Sequence, residues 1–170
     1  MTRKLMAIIA VIVSVAGAAA AQEAQWTERS SGLPVSRAVV GRLSIHPKDS
    51  SLFGLTNNGL FKSTDGGQHW ALVSSITGVR SLVLDPENSS TIYLATGHGV
   101  LKTTNGGEIW TAADSGLTGT VNALVMDFQD SKILYALSDV GVFKTSDGAA
   151  SWNPVFQLDA NSFGVALATS

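Results

Sequence analysis

The chain has 170 residues, 45% of them hydrophobic and 14% charged, with no cysteine and a formal net charge of −2. So sparse a charge argues against a highly charged disordered protein, and the near-neutral balance offers no electrostatic footing for nucleic acid or an anionic membrane. Without cysteine there is no disulfide framework, thiolate metal site, cysteine nucleophile or cysteine-linked lipid anchor.

Thr2-Arg3-Lys4 makes a short basic start, Leu5 to Val15 an almost unbroken apolar run, and Ala16 to Ala21 a string of small residues. That order is the order of a secretory signal peptide, with cleavage expected before Gln22. The competing reading is an uncleaved membrane anchor. The run from Leu5 to Ala21 stands at the bottom of the spanning range and is alanine-rich in its second half, which favours cleavage. No twin-arginine pair precedes it, so general secretion is the expected route. The chain thus divides into a signal peptide over 1–21 and a segment over 22–170 that is expected to be secreted or periplasmic, with no membrane association once cleaved.

The four tryptophans, Trp26, Trp70, Trp110 and Trp152, recur at intervals of about 40–45 residues, and a whole pattern recurs with them. Each period opens on an apolar segment: Ala38 to Ile45, Val79 to Leu84, then Val121 to Met126. Polar turns follow at Pro47 to Ser50, Asp85 to Ser89 and Asp127 to Ser131. Next come Leu52-Phe53-Gly54-Leu55, Ile92-Tyr93-Leu94-Ala95 and Leu134-Tyr135-Ala136-Leu137. Tight turns ending in Gly59, Gly99 and Gly141 lead into Leu60-Phe61-Lys62, Val100-Leu101-Lys102 and Val142-Phe143-Lys144. A fourth strand is expected to begin at each tryptophan. The repeats run over about 37–77, 78–119 and 120–161.

The second strand of each period is a continuous apolar run, without the alternation of a half-exposed sheet, which suits a strand covered on both faces. Helical solenoids share the period, but these glycine-punctuated segments carry no apolar residues at helical spacing. The expected fold is all-β: blades of a β-propeller, each of four antiparallel strands, three complete and flanked by partial end strands at Trp26 and at Phe163 to Leu167. Propellers close with about four to eight blades, so an arc of three is expected either to be part of a longer propeller or to self-associate through its open blade faces.

Between the third and fourth strands of each period stands one eight-residue motif, Ser63-Thr64-Asp65-Gly66-Gly67-Gln68-His69-Trp70. It recurs as Thr103-Thr104-Asn105-Gly106-Gly107-Glu108-Ile109-Trp110 and as Thr145-Ser146-Asp147-Gly148-Ala149-Ala150-Ser151-Trp152. The hydroxyl can bond nearby backbone, the carboxylate can accept several N–H groups of a sharp turn, and the glycine allows positive φ. The tryptophan brings a large apolar area to bury, equal in Trp70 and Trp110 by this reading and smaller at Trp26.

The pattern Ser/Thr-x-Asp-x-Gly-x-x-Trp resembles the Asp-box, or bacterial neuraminidase repeat. The resemblance implies a hairpin on the propeller rim, away from any catalytic face, with Ser63, Asp65, Gly67, Trp70, Thr103, Asn105, Gly107, Trp110, Thr145, Asp147 and Trp152 in structural roles. Two positions depart from the pattern. Asn105 replaces the aspartate and still accepts hydrogen bonds. Ala149 replaces the glycine, which makes the third motif the one expected to be distorted. Calcium at Asp65, Asn105 and Asp147 is not expected, because each loop offers too few acidic oxygens.

Asp-box propellers include sialidases, xyloglucan-cleaving glycosidases, sortilin-type receptors and photosystem II assembly factors. A sialidase-like site would need an arginine cluster, a tyrosine nucleophile with its glutamate, and an acid aspartate. Only Arg29, Arg37, Arg42 and Arg80 follow the signal, and Tyr93 and Tyr135 share the slot of Phe53, which reads as core packing. Asp85 and Asp127 share the slot of His46 and read as turn openers rather than an opposed acid pair. Lys62, Lys102 and Lys144 form a ladder that reads as edge lysines. No catalytic, cofactor-binding or metal residue is assigned and no cofactor is expected. The reading is a non-catalytic scaffold for a protein or glycan partner. Its alternatives are a fragment of a sialidase- or xyloglucanase-like glycoside hydrolase and an exported assembly factor of the photosystem II type.

Overall fold

The computed structural model describes residues 31–33 and 40–158. The expected signal peptide, Trp26 and the expected end strand at Phe163 to Leu167 lie outside the described residues, and so does the start of the first repeat. Among the described residues there is no helix. Twelve strands form three four-stranded antiparallel sheets in which spatial order follows chain order. The first blade holds β1 Val40–Ile45, β2 Leu52–Thr56, β3 Gly59–Ser63 and β4 Ala71–Ser74. The second holds β5 Val79–Leu84, β6 Ile92–Thr96, β7 Gly99–Thr103 and β8 Thr111–Ala112. The third holds β9 Val121–Met126, β10 Leu134–Ser138, β11 Gly141–Thr145 and β12 Asn153–Gln157.

The fold is thus a partial β-propeller, and burial explains the apolar runs. Every residue of β2 and of β6 is buried, because each of these strands has a strand on either side and packing on both of its faces. Phe53, Leu55 and Leu60 of the first blade pack with Leu82, Ile92 and Leu94 of the second. Tyr93, Ala95 and Val100 of the second pack with Leu124, Leu134, Ala136 and Phe143 of the third. No blade could bury both faces alone, so the stack supplies the core. At the inner side β5 lies against β9. There Ser81 Oγ accepts the Leu124 N–H at 3.2 Å and lies 3.3 Å from the Leu124 carbonyl as its donor.

Two details differ from expectation. The fourth strands begin one residue after each tryptophan. In two blades the reason is visible: the Trp70 N–H donates to Ser31 O and the Trp152 N–H to Ser115 O, both at 2.8 Å, so those N–H groups point away from the sheet ladder. The lysines are not at an edge either. Lys62, Lys102 and Lys144 stand on the inner strands β3, β7 and β11, directly opposite Phe53, Tyr93 and Tyr135. Opposed residues share a face, so each ammonium sits over its partner's ring, 5.2, 5.2 and 5.4 Å from the centroid.

Candidate functional site

The repeated motif makes three hairpin turns of one design. In the first, Ser63 Oγ donates to Asp65 Oδ1 at 2.8 Å and accepts the Gly67 N–H at 2.9 Å. Asp65 Oδ1 also accepts the His69 N–H at 2.9 Å. In the second, Thr103 Oγ1 donates to Asn105 Oδ1 at 2.8 Å and accepts the Gly107 N–H at 3.0 Å, while Asn105 Oδ1 accepts the Ile109 N–H at 3.0 Å. In the third, Thr145 Oγ1 donates to Asp147 Oδ1 at 2.7 Å and accepts the Ala149 N–H at 3.1 Å, while Asp147 Oδ1 accepts the Ser151 N–H at 2.9 Å. An amide oxygen serves as well as a carboxylate here, because each bond uses a single acceptor oxygen.

The two carboxylates are nevertheless strongly held as anions. The backbone and then the ring of His69 keep Asp65 well below the usual carboxylate range. The Ser151 hydroxyl, 2.7 Å from Asp147 Oδ2, and then the Ser151 N–H do the same for Asp147. Asp49, in the turn between β1 and β2, is lowered above all by the Ser51 hydroxyl.

The third turn is not the distorted one. Ala149 adopts φ +70°, in the left-handed region, yet all three hydrogen bonds of the design survive. The neighbouring blade shows why a methyl fits there and not one blade earlier. A Cβ on Gly107 would lie 2.2 Å from Val73 Cγ1, the side chain three residues past Trp70. Three residues past Trp110 stands Ala113, in the same buried cluster as Ala149. A larger residue on one blade is matched by a smaller one in the turn of the next.

The tryptophans differ in the same way. Trp70 and Trp152 are 6% and 3% exposed, whereas Trp110 is only half-buried. Trp70 Nε1 donates to Gly67 O at 3.0 Å and Trp152 Nε1 to Ala113 O at 2.8 Å. Trp110 Nε1 is buried and meets no acceptor among the described residues. Trp70 and Trp152 are each covered by a short clip, Ser31-Gly32-Leu33 and Ser115-Gly116-Leu117, whose serine carbonyl takes the tryptophan N–H. The clip needs glycine at its centre. A Cβ on Gly32 would meet Trp70 O at 2.2 Å, and one on Gly116 would meet Trp152 O at 2.4 Å, with φ +88° and +83°. The matching residues in the second blade are Ser75-Ile76-Thr77, and isoleucine cannot take that place. The repeated Ser-Gly-Leu, five residues past a tryptophan, was the sequence signal for this element.

Other sequence candidates take up turn roles. Asp85 Oδ1 accepts the Glu87 N–H at 3.0 Å and Asp127 Oδ1 the Gln129 N–H at 2.8 Å. His46, in their slot, is fully buried; its Nδ1 accepts the Lys48 N–H at 3.3 Å and its Nε2 donates to Asp85 O at 2.8 Å, joining the first two blades. Burial, then the charge of Asp85, pushes the Tyr93 hydroxyl up to about 12, which keeps it a proton donor rather than a nucleophile. Arg80 donates to Asn122 Oδ1 and belongs to no arginine cluster among the described residues. Among those residues no group of three or more His, Asp or Glu side chains is placed to hold a metal ion.

Among the described residues, grooves open at opposite ends of the blades. One forms where the turns after β1, β5 and β9 converge, with Ile45, Pro47, Pro86 and Phe128 among its walls. Ile45 and Phe128 are exposed there, at 52% and 66%. The other is polar and lies between residues 77–80 and 96–98, beside Arg80 and His98.

The model of the DUF6242 β-propeller domain matches residues 11–124. No curated protein matches the chain. Among solved structures, the GH74 enzyme of Niastella koreensis is 26% identical at a TM-score of 0.56, over 68% of this chain and 22% of that one. The GH74 xyloglucanase of Xanthomonas campestris superposes at a TM-score of 0.60 with 16% identity, over 81% of this chain and 26% of that one. YCF48 bound to a D1 peptide superposes at 0.51 with 20% identity, over 69% of this chain and 40% of that one. The chain spans less than half the length of each of these structures.

Proposed function

The chain belongs to the family of DUF6242 β-propeller domains, and we propose that it is an exported, non-catalytic Asp-box scaffold that binds an extended protein segment. What the carboxylates do carries this reading. Asp49, Asp65, Asp85, Asp127, Asp130, Asp139 and Asp147 each accept a backbone N–H of a turn or loop. A glycosidase needs carboxyl groups free to protonate a leaving group and to face the sugar from the other side. Carboxylates engaged in turns serve the scaffold instead. The groove of Ile45, Pro47, Pro86 and Phe128 offers apolar contact of the kind an extended peptide uses, and the peptide-bound YCF48 shares the fold. An exported assembly factor is one form of this reading, and capture of a single membrane complex would specify it.

The second reading is a segment of a glycoside hydrolase, supported by the 26% identity to the Niastella koreensis GH74 enzyme. Incubation with a xyloglucan oligosaccharide and with a fluorogenic sialoside separates the two. No turnover above buffer is expected. Hydrolysis that disappears in Asp85→Asn or Asp127→Asn would overturn the scaffold reading.

A further inference from the structure

The first strand of each blade leaves one residue out of its ladder: Gly41 in β1, Arg80 in β5 and Asn122 in β9. A bulge of this kind re-aims the side chain it carries. Arg80 is exposed and reaches the next blade, where its Nη1 donates to Asn122 Oδ1. Its Nη2 stands 3.9 Å from where a Cβ on Gly97 would be, and no other described atom comes within 4 Å of that point. Gly97 opens the hairpin between β6 and β7, in the slot that Asn57 fills in the first blade and Asp139 in the third. The third blade shows what that slot can hold. Asp139 Oδ1 accepts, at 2.8 Å, the N–H of Thr120, the last residue before β9. The last residue before β5 is Gly78, and no acceptor among the described residues meets its N–H.

The second blade thus has the backbone donor, a guanidinium in the same groove, and a glycine where the third blade carries its carboxylate. The polar groove of residues 77–80 and 96–98 is the space so left. Neither other blade combines these features: the first has Gly41 at its bulge and an amide in the slot, and the third has Asn122 and its own acid. Asp114 is engaged elsewhere, its Oδ2 standing against Gly99 as the Ser74 and Phe156 carbonyls stand against Gly59 and Gly141. We propose that this groove binds a carboxylate carried by another molecule, held by the Arg80 guanidinium and the Gly78 N–H. Asn122 occupies Nη1 and fixes the guanidinium, leaving Nη2 and Nε to face the two oxygens of the ligand. The inference goes beyond the functional proposal and is independent of it, since the apolar groove of Ile45 and Phe128 lies at the opposite end of the blades and either can fail alone.

NMR titration of the protein as its host processes it tests this, with acetate as the probe and acetamide as its neutral isostere. Acetate is expected to move the Gly78 amide and the Arg80 Nε–H resonances to saturation, and acetamide to leave both in place. Arg80→Met should weaken acetate binding at least tenfold, with Arg80→Lys intermediate. Gly97→Asp supplies the carboxylate from within, as Asp139 does in the third blade, and a Cβ there meets nothing closer than 3.9 Å. It is expected to shift the same two resonances without ligand and to weaken acetate binding at least tenfold. Arg42→Met, at an exposed arginine outside the groove, should change nothing. N-acetylglycine, with a chain-terminal carboxylate, and the α-amide of N-acetylaspartate, with a side-chain one, then distinguish the two sources by which binds more tightly. A folded protein that responds to neither probe, or to both alike, overturns the proposal. So does acetate binding indifferent to Arg80→Met and Gly97→Asp.

Discussion

The second and third turns share one hydrogen-bond skeleton and differ in everything around it. In the third, the tryptophan is buried, clipped by Ser115-Gly116-Leu117, and its indole N–H is satisfied. In the second, the tryptophan is half-buried, has no glycine-centred clip, and its indole N–H meets no acceptor among the described residues. The aspartate of the third is an asparagine in the second, and the glycine of the second is an alanine in the third. The lesson is that the turn is an autonomous local motif, whereas its anchoring is decided by the blade before it.

The largest expected effect is on the tryptophans. Trp152→Ala and Trp70→Ala should each destabilise by about 3–5 kcal/mol, the usual range for emptying a buried aromatic site. Trp110→Ala should cost roughly half as much, because less area returns to water and no indole hydrogen bond is lost. Denaturant unfolding of the three variants measures this, and equal losses would break the comparison.

Next comes the fit between turn and neighbour. Gly107→Ala drives a methyl into Val73 Cγ1 and should cost about 1–3 kcal/mol, with positive-φ strain included. Adding Val73→Ala recreates the Ala113–Ala149 arrangement, and the double variant should recover about 1 kcal/mol relative to the sum of the singles. A double-mutant cycle by chemical denaturation reads the coupling, and strict additivity would sink the matching argument.

The clip gives an effect of similar or smaller size. Gly116→Ala should cost about 2 kcal/mol, combining left-handed strain with loss of the Ser115–Trp152 hydrogen bond. Trp152 emission should shift to the red as the indole is uncovered. A variant with unchanged stability and emission would show that the clip is dispensable.

The smallest effect is on pH dependence. Asp65 and Asp147 titrate lower in the folded protein than in the unfolded chain, so their stabilisation is fully present above the ordinary aspartate range near about 4. It is lost as pH falls from there through the lowered folded values. Asn105 does not titrate. Thermal melts between about pH 5 and 2 should show a shallower fall for the Asp65→Asn, Asp147→Asn pair and a steeper one for Asn105→Asp. Identical slopes in all three proteins would mean that other carboxylates, Asp49 first, dominate acid unfolding.

Much of this architecture is legible in the residues. The limits of β5 and β9 follow from the apolar segments Val79 to Leu84 and Val121 to Met126, and the hydroxyl–carboxylate logic of the turns follows from residue types two apart. Ser-Gly-Leu at 31–33 and 115–117 was equally visible but carried no meaning until its glycine was seen against a tryptophan carbonyl. The ladder of lysines shows the opposite limit. Its spacing marks it as regular, and only pairing places it over rings on inner strands.

What the sequence determines by itself is local and repeated: strand, turn, hairpin bond pattern and the number of blades between Trp26 and Trp152. These depend on interactions among residues a few positions apart, which a repeat writes out several times. The tertiary structure decides which tryptophan is covered, which methyl fits, and which lysine finds a carbonyl. Those outcomes depend on side chains from adjacent blades some forty residues apart meeting at one joint, and an excess of volume on one side must be matched by a deficit on the other.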